Sequence, residues 1–227
     1  MSRTRSAATA PPRQDTGNRS GSEFPADLGT VTALVVTALA VLSQLYAAIP
    51  LLTPVGEALG GSATFALSTG YGLCYAVGFL LWGPVADRYG RRRVMLIGLC
   101  LLVFATLACG LTTSLLALAL ARGAQGFVAA SFPPVALAYL SEAVTPRHRA
   151  TAIGAMSTAF LVAGITGQIG AQAITQQFGW PWVFLGSTCL LTICALAVAW
   201  LTREHHRARV AGSPGEQFLA TARLLAR

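Results

Sequence analysis

Six apolar runs follow one another through the chain, approximately Thr30–Leu52, Thr64–Ala86, Val94–Thr112, Leu115–Leu140, Ala150–Ile174 and Pro181–Leu201. Each has roughly 19–26 residues, enough to cross a hydrocarbon core of about 30 Å as a helix. A helix on a water-soluble protein keeps a polar face, whereas these runs are apolar all round. In lipid every backbone amide must find its partner inside the chain, and a helix does this within one segment. The sequence therefore predicts an all-α, polytopic membrane protein with six transmembrane helices. Composition agrees, with 54% hydrophobic and only 11% charged residues, against about 25% charged in soluble domains. A soluble enzyme, a disordered chain and a collagen-like chain are excluded.

Three regions follow. Residues 1–28 are rich in Ser, Thr, Pro, Gly and Arg with no apolar period, and read as a disordered tail. The run after them is longer than the roughly 7–15 residues of a signal-peptide core, so it reads as a span that stays. Residues 29–201 form the bundle, and 202–227 a basic segment. In that segment Phe218, Leu219, Ala222, Leu225 and Ala226 share one helical face with Arg223 and Arg227 on another. This suits either a helix on the membrane surface or a solvated tail.

All 16 basic residues are Arg, and the formal net charge is +8. Fifteen of them fall in the tail (Arg3, Arg5, Arg13, Arg19), after the second span (Arg88, Arg91, Arg92, Arg93), after the fourth (Arg147, Arg149) and in the final segment, and the sixteenth, Arg122, lies inside the fourth run. The intervening loops, Thr53–Ala63, Thr113–Ser114 and Thr175–Trp180, carry none. The positive-inside rule then places both termini in the cytoplasm. The basic excess is topological and does not point to nucleic acid. Cys74, Cys100, Cys109, Cys189 and Cys194 sit inside apolar runs at spacings that fit neither zinc nor disulfides. His205 and His206 lie in the basic segment. No metal and no cofactor is expected.

The loop after the second span reads Gly83-Pro84-Val85-Ala86-Asp87-Arg88-Tyr89-Gly90-Arg91-Arg92-Arg93. Gly83 and Pro84 are expected to end a helix and admit a neighbouring backbone. Gly90 permits a tight reversal between antiparallel spans. Asp87 stands among arginines where an ion pair can form and break. A plain basic stop-transfer loop would need the arginines but not Gly83, Asp87 and Gly90.

This loop resembles the signature of the major facilitator superfamily, G-x-L-a-D-R-x-G-R-R/K, with Val85 at the Leu position. The resemblance continues in Arg122-Gly123-Ala124-Gln125-Gly126, like R-x-x-Q-G, and in Glu142 to Arg149, like E-x-x-x-P-x-x-R. The fifth span carries Gly164, Gly167 and Gly170, similar to the Gly-rich motif of drug–proton antiporters, but with Gln168 where that motif has Pro. The resemblance implies a transporter of two six-helix halves that rock around a midplane site. This chain would supply the N-terminal half, and residues 202–227 resemble the linker between halves. It further implies conformational gating by Gly83, Asp87, Arg88, Gly90, Arg91, Arg92, Glu142 and Arg149, with Asp87, Arg91 and Glu142 in one charge cluster.

Arg122 is the one charged residue inside the six runs, about seven residues and so roughly 10 Å from the outer end of the fourth. An Arg costs about 2.5 kcal/mol or more at depth unless it faces a polar interior or a partner. Residues at matching depth are Gln44, Tyr71, Tyr75 and Gln168, with Gln125 one turn away. None is an anion. A substrate or proton pathway through these residues is one reading, and an Arg snorkelling to the interface the other. Pro133 and Pro134 should bend the fourth span, and Ala163, Gly167 and Ala171 offer a small-residue stripe for helix contact.

The expected function is secondary active transport in a bacterial cytoplasmic membrane. Within the family, efflux of drugs or small metabolites in exchange for protons fits best. The alternatives are an uptake permease for a small organic anion and a truncated, non-transporting half. A membrane-embedded enzyme would need intramembrane His, Asp or Glu, which the runs lack. The expected partners are a small-molecule substrate, protons, the lipid bilayer, and a second six-helix half or a second copy.

Overall fold

The computed structural model describes residues 28–202, so the predicted tail and nearly all of the basic segment lie outside the described residues. Six helical segments are long and apolar enough to cross a membrane. The first is α1 (Leu28–Tyr46), which breaks at Ala47 and continues as α2 (Ala48–Leu59). The second begins with a π-helical turn, Phe65–Thr69, and runs on as α3 (Gly70–Tyr89). The third is α4 (Arg91–Gly110). The fourth is split into α5 (Leu115–Ala129) and α6 (Pro133–Ala143). The fifth and sixth are α7 (Pro146–Phe178) and α8 (Pro181–Leu201). No strand occurs among the described residues.

Proline accounts for the breaks. Pro50 has no N–H for the Tyr46 carbonyl, and the chain bends at Ala47, just ahead of it. The expected loop from Thr53 is instead helical as far as Leu59, with Pro54 inside the helix. Gly60 ends it at φ +74°, its N–H bonded to the Gly56 carbonyl at 3.0 Å. In the fourth span Pro133 and Pro134 produce the expected bend. The orphaned Ala129 carbonyl is taken by the Phe132 N–H at 3.3 Å, a tighter turn than the α-helix makes.

The Gly83–Pro84 expectation needs correction. Helix α3 runs straight through both residues to Tyr89, and nothing lies within 4 Å of where a Gly83 side chain would begin. Pro84 leaves the Leu80 carbonyl without its ladder donor, which a membrane helix tolerates where neighbouring groups or a local adjustment of the backbone satisfy it. The close backbone approach occurs at Gly78 and Gly126 instead. A Cβ on Gly78 would lie 2.5 Å from the Phe127 carbonyl oxygen, and one on Gly126 would strike the Tyr71 backbone. These glycines let α3 and α5 touch backbone to backbone, and the Trp82 indole N–H donates to the Phe127 carbonyl at 2.8 Å across the same contact.

The spans pack in the order second, fourth, third, sixth, first, fifth. The core is built from Leu34, Val41, Met95, Leu99, Phe132, Leu140, Met156 and Leu191. The predicted small stripe is buried: Ala163, Gly167 and Ala171 face α1 and its continuation. At Gly167 a Cβ would lie 2.6 Å from the Ser43 carbonyl oxygen. Large apolar side chains such as Phe79, Phe104, Leu161, Ile193 and Trp200 point outward. That surface would be costly in water and is natural against lipid tails.

Candidate functional site

Two polar clusters stand out, one at the Arg-rich end and one deep in the bundle. The first is built by the turn between α3 and α4. Gly90 holds φ +97°, a conformation side chains rarely adopt, and its N–H caps α3 at the Ala86 carbonyl. This reversal puts Arg91 at the first position of α4, four residues from Asp87. Arg91 Nη2 lies 3.3 Å from Asp87 Oδ1, and Nη1 lies 2.6 Å from Glu142 Oε1 at the end of α6. Nη1 also donates to the Ala138 carbonyl at 2.7 Å. One guanidinium therefore ties the second, third and fourth spans together through charge-assisted bonds. Asp87 is well exposed and Glu142 only a quarter exposed, so the Glu142 contact is the less screened of the two.

Arg92 and Arg88 have contacts elsewhere. Arg92 turns to the sixth span, where Nε donates to the Thr202 carbonyl at 2.8 Å and Nη2 to the Ala199 carbonyl at 3.0 Å. A cation there satisfies the last carbonyls of α8 and complements its dipole. The Arg88 guanidinium stands 5.6 Å from the Tyr89 ring centroid. Arg149 is exposed in the first turn of α7.

The second cluster centres on Arg122, which is 1% exposed, so the snorkelling reading fails. Its Nε and Nη2 both donate to the Leu67 carbonyl, at 3.1 and 2.8 Å. Nη2 also donates to the Gln44 carbonyl at 3.2 Å, and Nη1 to Gln125 Oε1 at 2.7 Å. The guanidinium carbon lies 4.2 Å from the Tyr71 ring centroid and 5.8 Å from that of Phe184. Gln125 passes the chain on: its Nε2 donates to Thr106 Oγ1 at 2.8 Å, and its Oε1 lies 3.6 Å from the Cys109 sulfur. A continuous buried network thus links the first four spans.

Both carbonyls that Arg122 uses sit at helix irregularities. Leu67 lies in the π-helical turn, and Gln44 is three residues before the break at Ala47. Such places free carbonyls from the regular ladder, and a buried free carbonyl needs a donor. The positive charge is met by carbonyl dipoles and ring faces rather than by an anion.

The depth-matched residues divide accordingly. Gln44 contributes its backbone, while its side-chain amide lies 3.5 Å from the Ala40 carbonyl. Tyr71 lies under the guanidinium, and its hydroxyl has no hydrogen-bond partner among the described residues. Tyr75 stacks on Tyr71 at 6.0 Å and is thus one ring removed from Arg122. Gln168 is not joined to Arg122; its amide donates to the Gly164 carbonyl of its own helix at 2.8 Å. A Cβ on Gly164 would lie 3.8 Å from the Tyr46 ring, one on Gly167 would strike the Ser43 backbone, and one on Gly170 would meet nothing within 4 Å. Sequence reasoning missed Leu67, Ala138 and Thr106. Thr106 had a signal, as a hydroxyl in the middle of an apolar run; the two carbonyls had none.

Among proteins of known sequence, an MFS-type transporter of Mycobacterium tuberculosis is 30% identical over 203 residues, covering 86% of this chain and 30% of its own length. Multidrug resistance protein Stp of the same species is 37% identical over 131 residues, 55% of this chain and 24% of that protein. The lincomycin resistance protein of Streptomyces lincolnensis is 32% identical over 138 residues, 60% of this chain and 28% of that protein. This chain thus matches about a quarter to a third of the length of these relatives. Among solved structures, a bacterial homologue of the lysosomal transporter Spinster superposes with a TM-score of 0.67 at 21% identity, over 87% of this chain and 49% of that one. A peptide transporter bound to sulfate gives 0.70 at 14% identity, over 87% and 43%. These two establish the fold. The sequence pattern of the Major Facilitator Superfamily matches residues 33–226, and with the six spans and the signature turn in place the chain belongs to that superfamily, as a multi-pass membrane protein of its transporter class.

Proposed function

We propose that this chain forms the N-terminal six-helix half of a proton-coupled exporter of drugs or small metabolites in a bacterial cytoplasmic membrane, with both termini in the cytoplasm. The carrying observation is the Arg91 cluster, in which one guanidinium is shared by Asp87 and Glu142 from two other spans. Such a junction is held by bonds that break without unfolding any helix, which is what a rocking bundle requires. Efflux is favoured by relatives bearing the names multidrug resistance and lincomycin resistance. Rocking needs a second bundle, supplied by further chain, a separate chain or a second copy.

Uptake of an organic anion loses ground, because four of the five N–H donors of Arg122 are already engaged inside the protein. An anion would have a single N–H left to bind. Arg122 serves this proposal by holding the outer ends of the first and second spans against the fourth.

The test is ethidium extrusion by an efflux-deficient bacterium expressing the chain with its second bundle. Extrusion should collapse with a protonophore and slow in Asp87→Asn at an unchanged level of inserted protein. Protonophore-insensitive extrusion rejects proton coupling, and wild-type extrusion by Asp87→Asn rejects a gating role for the Arg91 cluster.

A further inference from the structure

The third and sixth spans lie side by side, and Arg92 fixes how their ends meet. Its bonds to the Ala199 and Thr202 carbonyls put the first turn of α4 level with the last turn of α8. Arg93 is the next residue, about 100° further round the helix, and it is exposed. It heads a stripe that continues at helical spacing through Ile97, Leu101 and Phe104, all of them exposed. On α8 the exposed residues Ile193, Leu196 and Trp200 form the matching stripe, and Trp200 is 91% exposed. Two apolar stripes on neighbouring helices thus finish, at one level, in a cation and an indole.

Each part of this arrangement has a use against a phospholipid. Apolar side chains on the outside of a membrane bundle face acyl chains. Indole rings collect at the membrane interface, where the ring is buried and the N–H meets a polar oxygen. An Arg one turn beyond the last apolar residue reaches the headgroup level, and its guanidinium can hold two phosphate oxygens at once. The surrounding charge selects among lipids. Among the described residues this end carries six arginines, Arg88, Arg91, Arg92, Arg93, Arg147 and Arg149, against the two carboxylates Asp87 and Glu142. Both carboxylates are drawn to Arg91. The field at this end is therefore positive, which favours a headgroup of net negative charge over a zwitterionic one.

We propose that the lipid-facing surface of α4 and α8 is a binding site for one anionic phospholipid. Its phosphate is held by Arg93, a headgroup oxygen by the Trp200 indole N–H, and its chains by Ile97, Leu101, Ile193 and Leu196. The lipid braces the pair of helices whose ends Arg92 already joins. The site depends on the membrane-spanning fold and not on transport or its direction, so it fails separately from the exporter reading.

The test is native mass spectrometry of the full purified chain, titrated in detergent with phosphatidylglycerol or phosphatidylcholine of identical acyl chains. The first phosphatidylglycerol should bind about fivefold more tightly than the first phosphatidylcholine. Arg93→Gln should abolish this preference. Trp200→Phe, which keeps the ring and loses the N–H, should weaken phosphatidylglycerol about threefold. Arg147→Gln removes an exposed arginine of the same end from another helix, and should leave the preference intact. Equal binding of the two lipids overturns the proposal, as does undiminished binding by Arg93→Gln or Trp200→Phe. An Arg147→Gln loss as large as that of Arg93→Gln would mean diffuse surface charge rather than a site. Displacement of the lipid by inorganic phosphate would mean a site for a soluble anion, and either result rejects the lipid assignment.

Discussion

Replacing Arg122 by Met removes the buried guanidinium at nearly constant side-chain length. Four hydrogen bonds disappear, and the Leu67 and Gln44 carbonyls are left in a dry interior. Gln125 keeps its bond to Thr106. Two abandoned acceptors at about 1–3 kcal/mol each give a loss of about 2–6 kcal/mol. Release of a desolvated charge returns part of this. Counting instead about 0.6 kcal/mol per bond, the average measured within a membrane bundle, four bonds give about 2.4 kcal/mol. The two routes meet at about 2–4 kcal/mol of destabilisation. SDS-driven unfolding of the purified chain in mixed micelles, followed by far-ultraviolet circular dichroism, measures it. Arg122→Lys keeps the charge but has a single nitrogen and no fork, so it should lose about half as much. If Arg122→Met unfolds within about 0.5 kcal/mol of wild type, the carbonyls are not held by the guanidinium and the clamp is wrong.

Gly78→Ala should cost about 1–3 kcal/mol by driving a methyl group at the Phe127 carbonyl, whereas Gly83→Ala should leave the unfolding midpoint unchanged or raise it, since nothing lies within 4 Å and Ala suits a helix interior better than Gly; equal effects would refute the α3–α5 contact. Arg91→Gln should slow transport more than Asp87→Asn, because it severs Glu142 as well, and equal rates in an extrusion assay would reject the shared bridge. Single cysteines at Gly61 and Ser213 should be labelled by an impermeant maleimide from opposite sides of the membrane, and labelling from one side would overturn the orientation. The monomeric chain alone in liposomes should move no ethidium, and vectorial transport by it would show that one bundle suffices.

The six spans were legible because a run long enough to cross lipid admits few other structures. The bend at Pro133 and Pro134 was legible for the same kind of reason, since a missing N–H is written in the sequence. The Arg91 cluster could be placed from Gly90 and the i,i+4 spacing to Asp87, with Glu142 ending a neighbouring span at the same level. The helix beyond Leu52 was not legible, because Thr53 and Pro54 carry turn signals that a C-terminal glycine cap and burial of Leu51 and Val55 outweigh. The surroundings of Arg122 were only half legible. Depth counting finds side chains, but two of its partners are carbonyls freed by irregular backbone, and the π-helical turn at Phe65–Thr69 has no residue signature. Gln168 shares the depth of Arg122 but is spent on its own helix, and depth alone carries no azimuth.

The Thr30 hydroxyl donates to the Leu201 carbonyl at 3.0 Å, joining the first turn of the first span to the last turn of the sixth. The path through the membrane is therefore a closed circuit that starts and finishes at one spot. A module with adjoining ends can be inserted, doubled or reopened elsewhere without moving its helices. Tying residue 28 to residue 202 with a short linker and cutting at Gly60–Gly61 should give a rearranged gene whose product keeps the same bundle. Whatever chain is spliced on after Thr202 departs from beside the point where the tail comes in.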